Sequence, residues 1–266
     1  MKVLCFLLSM CSLLNAQISL PTFQAVHYAN NDGSNCSICD DDLVLYYDFE
    51  NGSGNVTDKG ISGNQTDGVF QGTADYYNSG KFGSYSMQSP SGSSDNDYLS
   101  VTGDITDLDM TSEYSIMAWV KILGGSGGQG ILVFGACCSP RQGYILTIES
   151  SGRLRFWGGS DSNNSNYNTT SSTSLTADGQ WHHIGLRVNS TASQIIINGS
   201  LSGSGSSNIP TSPSESNSNT NYAKNNPNIG GSGIHGVGRD VLIDDVRIYK
   251  SYLSDSDWST AMSGSY

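Results

Sequence analysis

The amino-acid sequence predicts an all-β protein, a sandwich or jelly roll of short strands with one short C-terminal helix. Apolar and polar residues alternate in segments such as SIMAWVK at 115–121 and HHIGLRV at 182–188, as in half-buried strands. Gly, Ser, Asn and Asp fill the stretches between such segments, which indicates many tight turns. Only SDSDWSTAM at 254–262 favours a helix, with Ser254 as its N-cap and two acids in its first turn.

The strands are predicted from runs of apolar and β-branched residues bounded by turn residues. The dipeptide Ser-Gly at 151–152 separates two of these runs and predicts a hairpin. Two stretches rich in Ser, Asn, Thr and Gly, at 158–176 and 199–226, are predicted to be surface loops. The predicted strands are 43–50, 69–71, 86–88, 98–101, 115–121, 131–135, 144–149, 153–157, 181–188, 194–197 and 241–249.

The first sixteen residues predict secretion. Lys2 precedes the apolar run 3–14, which ends near the small residue Ala16, as in a cleaved signal peptide. The run is shorter than the roughly 20 apolar residues of a membrane-spanning helix. No later run approaches that length, so we expect a secreted, extracellular chain with no membrane span. Residues 17–42 are expected to form an irregular cysteine-containing segment, and 43–266 a single domain.

The charge balance excludes some partners. Lys and Arg number 12 against 24 for Asp and Glu, a formal net charge of -12 at pH 7. Such a chain repels phosphate backbones and anionic membranes and attracts multivalent cations. We therefore expect no nucleic-acid partner.

Four cysteines remain after the predicted signal peptide: Cys36, Cys39, Cys137 and Cys138. A redox role for the CSIC stretch lacks a surrounding thioredoxin-like pattern, and two adjacent cysteines are poor ligands for one zinc ion. Disulfides suit the predicted compartment, and three connectivities are possible. Bridges from the N-terminal segment to the loop around Cys137 are favoured, because a disulfide between adjacent cysteines closes a strained ring.

Eight Asn-x-Ser/Thr sequons make the chain a candidate glycoprotein. In a eukaryotic secretory pathway they would mark solvent-facing loops. The candidate glycosylation sites are Asn35, Asn51, Asn55, Asn64, Asn163, Asn168, Asn189 and Asn198.

The order of the strand-like segments resembles a known family. In succession come YYDFE at 46–50, YSIMAWVK at 114–121, GYILTIESSGRLRF at 143–156, QWHHIGLRV at 180–188 and IDDVRIYKSYLSDSDW at 243–258. Together they resemble the laminin-G-like jelly rolls of the concanavalin A-like lectin and glucanase superfamily, over nearly the whole mature chain. The resemblance implies a two-sheet antiparallel jelly-roll sandwich, often with a structural calcium ion and with sugar or matrix ligands.

Aromatic residues are the candidates for sugar stacking. Trp119 lies on the strand face opposite Ile116, Ala118 and Val120, so it either packs in a second layer or lines an open sheet. His182 and His183 are adjacent on a strand and point to opposite faces, which favours structural roles. The ligand-binding candidates are Tyr144, Trp157 and Tyr167.

The acidic residues predict one structural calcium ion. Asp48 and Glu50 are two apart on the first predicted strand and therefore share a face, and the following 58–67 loop is rich in oxygen donors. In similar jelly rolls the first strand lies near the last, where Asp244 and Asp245 point to opposite faces. Asp245, rather than Asp244, could complete an oxygen cage with Glu50 and the loop. The alternative is that these acids cap loops. The predicted ligands are Asp48, Glu50, Asp58, Asp67 and Asp245.

An enzymatic function is the least favoured. Glycoside hydrolysis needs two carboxylates about 5 to 9 Å apart, and no central strand carries alternating acids. Glu149 stands alone at a strand end, and no GxSxG or HExxH motif occurs. We expect a non-catalytic module that binds a glycan or an extracellular-matrix component. The alternative is a structural component of an acidic extracellular matrix, including a mineralised one.

Overall fold

The computed structural model describes residues 42–60, 66–91, 97–136, 142–159, 167–207, 227–231 and 238–264. Within these residues the chain forms two antiparallel sheets, of eight and seven strands, and one short α-helix. The predicted all-β, two-sheet class is therefore confirmed. The elements are β1 (Leu43–Tyr47), β2 (Gly68–Gln71), β3 (Asp75–Tyr77), β4 (Ser86–Ser89), β5 (Tyr98–Val101), β6 (Tyr114–Gly125), β7 (Gln129–Ala136), β8 (Gln142–Ile148), β9 (Arg153–Gly159), β10 (Tyr167–Ser174), β11 (His182–Val188), β12 (Ala192–Ile197), β13 (Ser200–Ser206), β14 (Asn228–Ile229), β15 (Arg239–Tyr249) and α1 (Asp255–Met262).

The eight-stranded sheet has the order β13-β12-β11-β6-β15-β4-β3, with β1 also paired to β15. Its two longest strands, β6 and β15, lie side by side at the centre. The pairing of β1 with β15 confirms that the first strand lies beside the last. This sheet therefore brings both ends of the domain together.

The seven-stranded sheet has the order β10-β9-β8-β7-β14-β5-β2. Strands β8 and β9 form the hairpin predicted from Ser151 and Gly152. Gly152 has a φ of 82° and donates its N–H to the carbonyl of Glu149 at 2.8 Å. Glycine adopts this left-handed backbone without the steric cost of a Cβ atom, so it favours the turn.

The main apolar core lies between the two sheets. Alternate residues of the central strands face it, and Ile116, Leu186 and Ile248 form one row across β6, β11 and β15. Leu146 and Phe156 belong to the same cluster on the seven-stranded sheet. Each such side chain contributes about 1.5–3 kcal/mol when fully buried. The period-two pattern in the sequence therefore identified the core-facing residues correctly.

The prediction of surface loops at 158–176 and 199–226 is wrong for two segments. Residues 167–174 form β10, the edge of the seven-stranded sheet, and residues 200–206 form β13, the edge of the eight-stranded sheet. Their Ser, Thr and Gly residues carry no apolar pattern. Buried hydroxyls take the place of apolar side chains, since Thr169 and Ser171 of β10 are at most 2% exposed and Ser202 of β13 is 7% exposed.

The edge strands β10 and β13 contact each other, which explains the small residues of β13. A Cβ atom on Gly203 would lie 2.5 Å from the carbonyl oxygen of Thr170, and one on Gly205 would lie 2.5 Å from the Thr169 hydroxyl. The two backbones can approach this closely only because both positions are glycine. Ser202 adds a hydrogen bond from the Thr173 N–H at 3.2 Å.

The predicted C-terminal helix is confirmed as α1. Ser254 accepts a hydrogen bond from the Asp257 N–H, and the Asp257 carboxylate accepts one from the Ser254 N–H, which completes a capping box. Trp258 and Ala261 are the buried residues of the helix. No helix among the described residues is both long and apolar enough to span a bilayer.

The N-terminal predictions lie outside the described residues. These are the signal peptide 1–16, the segment 17–42 except its last residue, and the cysteines Cys36 and Cys39. Cys137 and Cys138 lie outside them as well. The secretion, the domain boundaries and the disulfides therefore stay predictions.

Candidate functional site

The first strand is shorter than predicted, which changes the geometry of the proposed calcium ligands. Strand β1 ends at Tyr47, because Phe49 has a φ of 58° and leaves the extended conformation. Asp48 and Glu50 therefore lie in a turn after the strand and do not alternate along it. The prediction that they share a strand face is wrong.

Both acids of this turn are held by protein donors. Glu50 accepts hydrogen bonds from the N–H groups of Ser84 at 3.0 Å and Tyr85 at 2.9 Å. A Cβ atom on Gly83 would lie 2.4 Å from the Glu50 carboxyl carbon, so a side chain at that position would collide with it. Asp48 forms an ion pair with Lys59. Glu50 thus anchors the 80–85 segment.

Asp58 and Asp67 cap the loop that follows. Asp58 is 5% exposed and accepts hydrogen bonds from the Tyr46 N–H at 2.9 Å, the Gly60 N–H at 2.8 Å and the Thr66 hydroxyl at 2.7 Å. Asp67 accepts one from the Asp58 N–H at 3.3 Å. These contacts match the alternative interpretation, in which the acids cap loops.

Asp245 lies in a β-bulge of β15 between Asp244 and Arg247, where its φ is 51°. The bulge breaks the alternation of the strand, so the assignment of Asp244 and Asp245 to opposite faces does not hold. Asp245 forms a buried ion pair with Arg247 at 2.9 Å, and the guanidinium lies 4.7 Å from the centre of the Tyr46 ring. Burial raises the pKa of Asp245, and the charge of Arg247 opposes that rise.

Asp244 is 1% exposed and accepts three backbone hydrogen bonds, from Lys81 at 2.6 Å, Phe82 at 3.2 Å and Asp245 at 2.7 Å. Burial raises its pKa to about 7, against the lowering effect of the hydrogen bonds from Lys81 and Phe82. Asp244 therefore fastens the 80–82 segment onto the outward face of the eight-stranded sheet, the face turned away from the seven-stranded sheet.

The predicted ligands do not fit a calcium cage in the part of the chain that the structure describes. There, no three Asp, Glu, His or Cys side chains are grouped so that they could hold a metal ion. Calcium normally takes six to eight oxygen ligands, whereas the carboxylates of this region are engaged by Lys, Arg and backbone N–H groups. The arrangement is that of structural anchors.

The three aromatic candidates occupy different environments. Tyr144 is 3% exposed in the core, stacks on Phe134 with ring centres 4.8 Å apart and donates its hydroxyl to the Leu108 carbonyl. Its selection as a sugar-stacking residue is therefore wrong, since it faces inward on β8. Trp157 faces outward from the seven-stranded sheet but is only 8% exposed, with Arg155 4.4 Å from its ring centre. Tyr167 begins β10, and its side chain lies outside the described part.

One half of the outward face of the eight-stranded sheet is covered by α1. Trp258 packs there over Gly185, where a Cβ atom would lie 2.5 Å from the indole. The cluster beneath and beside α1, here named the helix-side core, is separate from the main core. The helix-side core consists of Leu43, Tyr46, Met117, Ile196, Tyr249, Leu253, Trp258 and Ala261.

The other half of this face begins at Trp119, which sequence analysis placed outside the main core but not among the ligand candidates. Trp119 is half-buried, with Phe82 and His183 packed edge-to-face at 6.0 and 5.2 Å between ring centres. The Lys81 ammonium lies 4.1 Å from its ring centre. Lys121 and Leu123 follow on the same face, the latter 38% exposed.

His183 lies between the two halves and is fully buried, with Trp119 on one side and Trp258 on the other. Burial, followed by the charges of Arg247 and Lys81, lowers its pKa to about 3, so it is neutral at physiological pH. This packing agrees with the structural role expected from the sequence. His182 contacts Asp178 and Asn198 at the strand end.

Five of the eight sequons lie in the described part. Asn51, Asn55, Asn168 and Asn198 are exposed, and Asn189 is half-buried. These positions agree with solvent-facing sequons, and glycosylation itself stays a prediction. Asn35, Asn64 and Asn163 lie outside the described residues.

Comparison with solved structures finds the same fold. The binding domain of botulinum neurotoxin serotype D/C is 18% identical, with a TM-score of 0.63 over 85% of this chain and 52% of that one. A binding domain of botulinum neurotoxin DC in complex with SialylT is 17% identical, with a TM-score of 0.61 over 85% of this chain and 52% of that one.

A third binding domain, of botulinum neurotoxin DC in complex with rat synaptotagmin II, is 18% identical, with a TM-score of 0.56 over 82% of this chain and 50% of that one. The chain thus spans about half the length of these structures, and at this identity the likeness shows the fold alone. A search of curated proteins finds no match.

A comparison with models of protein families identifies the family of the chain. The model described as the concanavalin A-like lectin/glucanases superfamily, of laminin G type, matches residues 92–257, more than half of the chain. The matched region runs from the residues before β5 to the first turn of α1 and includes both central strands. The chain therefore belongs to the laminin-G-like branch of the concanavalin A-like lectin and glucanase superfamily.

Proposed function

We propose that this chain is a secreted, non-catalytic module that binds a glycan or an extracellular-matrix component. Membership of a lectin-like family supports a binding function. The neighbours of similar fold are binding domains, one in complex with SialylT and one with rat synaptotagmin II. Those complexes suggest saccharide and protein partners as the two classes to test.

The single observation that favours binding over catalysis is the use made of the buried acids. Asp58, Asp244 and Asp245 are at most 5% exposed, and each accepts hydrogen bonds from the protein. A raised carboxylate pKa often marks a catalytic acid. Here the raised pKa values belong to Asp244 and Asp245, which are buried; Asp244 binds backbone N–H groups and Asp245 binds the Arg247 guanidinium.

Glu149 does not alter this conclusion. It pairs with Arg155 at 3.0 Å on the seven-stranded sheet. A glycoside hydrolase needs a second carboxylate placed across the bond to be cleaved. Glycoside hydrolysis therefore has the weakest support of the functions considered.

A glycan array tests the binding function directly. The secreted chain, tagged and applied with and without calcium, should retain a defined set of glycans above the signal of a heat-unfolded sample. An array of purified matrix proteins serves as the second arm. Absence of binding in both arms would contradict the proposal.

The alternative function is that of a structural component in an acidic matrix, with no specific ligand. The net charge of -12 and the exposed Asp-rich turns favour such a role. It predicts weak, salt-sensitive association with multivalent cations and no selectivity among glycans. The selectivity seen on the array therefore separates the two functions.

Signal-peptide cleavage, disulfide formation and glycosylation are tested separately. Mass mapping of the secreted chain should find Ala16 as the last residue removed, disulfides among Cys36, Cys39, Cys137 and Cys138, and glycans on exposed sequons such as Asn51. Four free thiols would contradict the disulfides.

The calcium ion predicted from the sequence is tested by thermal melts with chelator and with calcium. Calcium at about 100 times its dissociation constant would stabilise the domain by about 2.7 kcal/mol, and Glu50→Gln would remove that gain. Because Glu50 already accepts backbone hydrogen bonds, the structure favours melting curves that do not depend on calcium.

A further inference from the structure

The half of the outward face of the eight-stranded sheet that α1 does not cover carries a row of side chains across neighbouring strands. The register places Lys121 of β6 beside Leu242 of β15, and Leu242 beside Gln88 of β4. Val120 and Ile122 face the main core, so Lys121 between them faces outward. Trp119 lies one position further along the same face of β6. The helix-side core ends at Met117 on this strand and does not include Trp119.

Leu242 in the middle of this row is 1% exposed, and the polar and aromatic side chains around it are partly accessible and differ in chemistry. Trp119, Lys121, Gln88 and Asp240 are all half-buried. The Gln88 amide donates a hydrogen bond to the Asp240 carboxylate at 2.9 Å, which fixes the orientation of both groups. The surface therefore offers an indole, an ammonium, an amide and a carboxylate within the width of three strands.

These groups match the surface of a sugar ring. Saccharides present C–H groups on one face of the ring and hydroxyls around its edge, and hydroxyls both donate and accept hydrogen bonds. An aromatic side chain packs against the apolar face, while a few placed polar groups fix the orientation of the ligand. Neighbouring strands lie about 4.8 Å apart, so the row from β6 to β4 spans roughly 10 Å, enough for a short oligosaccharide.

The surface around Trp119 is preorganised. Asp244 holds the backbone of Lys81 and Phe82 against the sheet, and this places Phe82 edge-to-face with the indole. His183 supports the indole from the other side. A binding group that is already held by its neighbours loses less conformational entropy when a ligand arrives.

The charges of the two nearby lysines are not neutralised by carboxylates of the described residues, and the Lys81 ammonium packs against the rings of Trp119 and Phe82. Five of the Lys and Arg residues in the described part form ion pairs with carboxylates, whereas Lys81 and Lys121 do not. On a chain with a net charge of -12, two ammonium groups without an acidic partner near one tryptophan are notable. They can donate hydrogen bonds to hydroxyl or carboxylate oxygens of a saccharide.

We propose that Trp119, Lys121, Gln88 and Asp240 form an oligosaccharide-binding site on the outward face of the eight-stranded sheet. The proposal rests on the glycan-binding function and assigns it to one surface. It differs from the sequence prediction, which favoured Tyr144, Trp157 and Tyr167. The inward position of Tyr144 and the 8% exposure of Trp157 disfavour those two residues as a sugar platform.

The test compares variants of the site in the full secreted chain. The glycan that gives the strongest array signal is titrated by calorimetry into the wild type, Lys121→Ala and Gln88→Ala. Loss of one hydrogen bond should weaken binding by about three- to tenfold in each variant. Trp119→Phe should weaken it as well, because phenylalanine offers a smaller aromatic face while it keeps an apolar contact with Phe82.

The control is Arg153→Ala, which removes an exposed residue of β9 on the other sheet and should leave the affinity unchanged. Near-ultraviolet circular dichroism confirms that each variant is folded. Unchanged affinity in the folded Lys121 and Gln88 variants would overturn this site while leaving the glycan-binding function intact. A wild type that binds no glycan on the array would overturn glycan binding and the site together, and the array of matrix proteins would then decide whether the chain binds a matrix component.

Discussion

The two cores of this domain differ in what holds them together. The main core between the sheets is built from aliphatic and aromatic side chains and follows the period-two pattern of the strands. The helix-side core lies on the outward face under α1, next to four buried polar groups: Arg247, Asp244, Asp245 and His183. Both cores depend on non-directional burial, and the helix-side core also borders an ion pair and a hydrogen-bonded carboxylate, which are directional.

The two cores are therefore expected to respond differently to substitutions. Apolar packing tolerates substitutions of similar volume, whereas a buried charge that loses its partner leaves an uncompensated desolvation cost. Among these polar groups, Asp244 fastens residues 81 and 82 to this face and Arg247 packs on Tyr46 of β1. His183 contacts Trp258 of α1. The proposed saccharide site lies at the border of the helix-side core, so its geometry depends on the polar contacts more than on the main core.

The ion pair of Asp245 and Arg247 gives the largest expected effect. Arg247→Met leaves the Asp245 carboxylate buried without a counter-charge, which should lower the free energy of unfolding by about 3–5 kcal/mol. Urea-induced unfolding measures the loss. The double variant with Asp245→Asn removes both charges and should recover most of it, because asparagine tolerates the positive φ at this position. A double variant as unstable as the single one would mean that packing of the guanidinium dominates.

The next effect is a pH dependence that comes from Asp244. Its pKa is raised from 3.8 to about 7 in the folded chain, so the folded state keeps a proton that the unfolded state has released. The stability from this group is complete below pH 3.8 and is lost as the pH rises through 7. Relative to Asp244→Asn, which cannot ionise, the wild type should lose on the order of 4 kcal/mol between pH 4 and pH 8.

The measurement is the difference in unfolding free energy between wild type and Asp244→Asn at a series of pH values. His183 acts in the opposite direction, because its pKa is lowered from 6.5 to about 3 and its stability contribution is lost as the pH falls. That contribution is common to both proteins and cancels in the difference. Parallel pH profiles for the two proteins would contradict the prediction.

A smaller effect tests the fit of α1 on the sheet. Gly185→Ala places a methyl group 2.4 Å from the Ile116 carbonyl oxygen and 2.5 Å from the Trp258 indole. Such overpacking should cost about 1–3 kcal/mol, measured by urea unfolding. Gly124→Ala on β6 is the matched control, since nothing lies within 4 Å of its Cβ position. It should change stability by at most about 0.5 kcal/mol, and equal effects in both variants would show that the contact with Trp258 is unimportant.

The sequence predicted the main core well and the polar region poorly, for a physical reason. Alternation reports which side of a strand is buried, so residues such as Ile116 and Leu186 were assigned correctly. Alternation cannot reveal a bulge or an early strand end. Because of the turn at Phe49 and the bulge at Asp245, the carboxylates do not lie where the predicted calcium site requires them. Strands β10 and β13 were missed because hydroxyls and glycines replace the apolar pattern.

The candidate site depended on contacts that are distant in sequence. The sequence placed Trp119 on the face opposite the main core, but it did not show how far Trp119 is exposed. That exposure depends on Lys81, which packs on the indole and is held by Asp244, 163 residues away in the sequence. No local pattern links a loop amide to a carboxylate on the last strand. By contrast, the hairpin of β8 and β9 was predicted correctly, because its turn at Ser151 and Gly152 is local in the sequence.

The smallest effect concerns the cap of α1, which the sequence did predict. Ser254→Ala removes the two hydrogen bonds that the Ser254 hydroxyl makes with Asp257 and should cost about 1 kcal/mol. Ser259→Ala, at an exposed position inside the helix, is the control and should be neutral or slightly stabilising, because alanine has the higher helix propensity.

The part of the domain that loses stability in Ser254→Ala is more informative than the size of the loss. Since α1 covers the helix-side core only, the missing cap should increase hydrogen exchange at the amides of Trp258 and Ala261. The amides of β6 and β11, which lie in the centre of the sheet, should keep their protection, because local opening of a terminal helix leaves the main core intact. Faster exchange in β6 as well would mean that the two cores unfold as one unit. They would then be separate clusters in the structure but would not unfold independently.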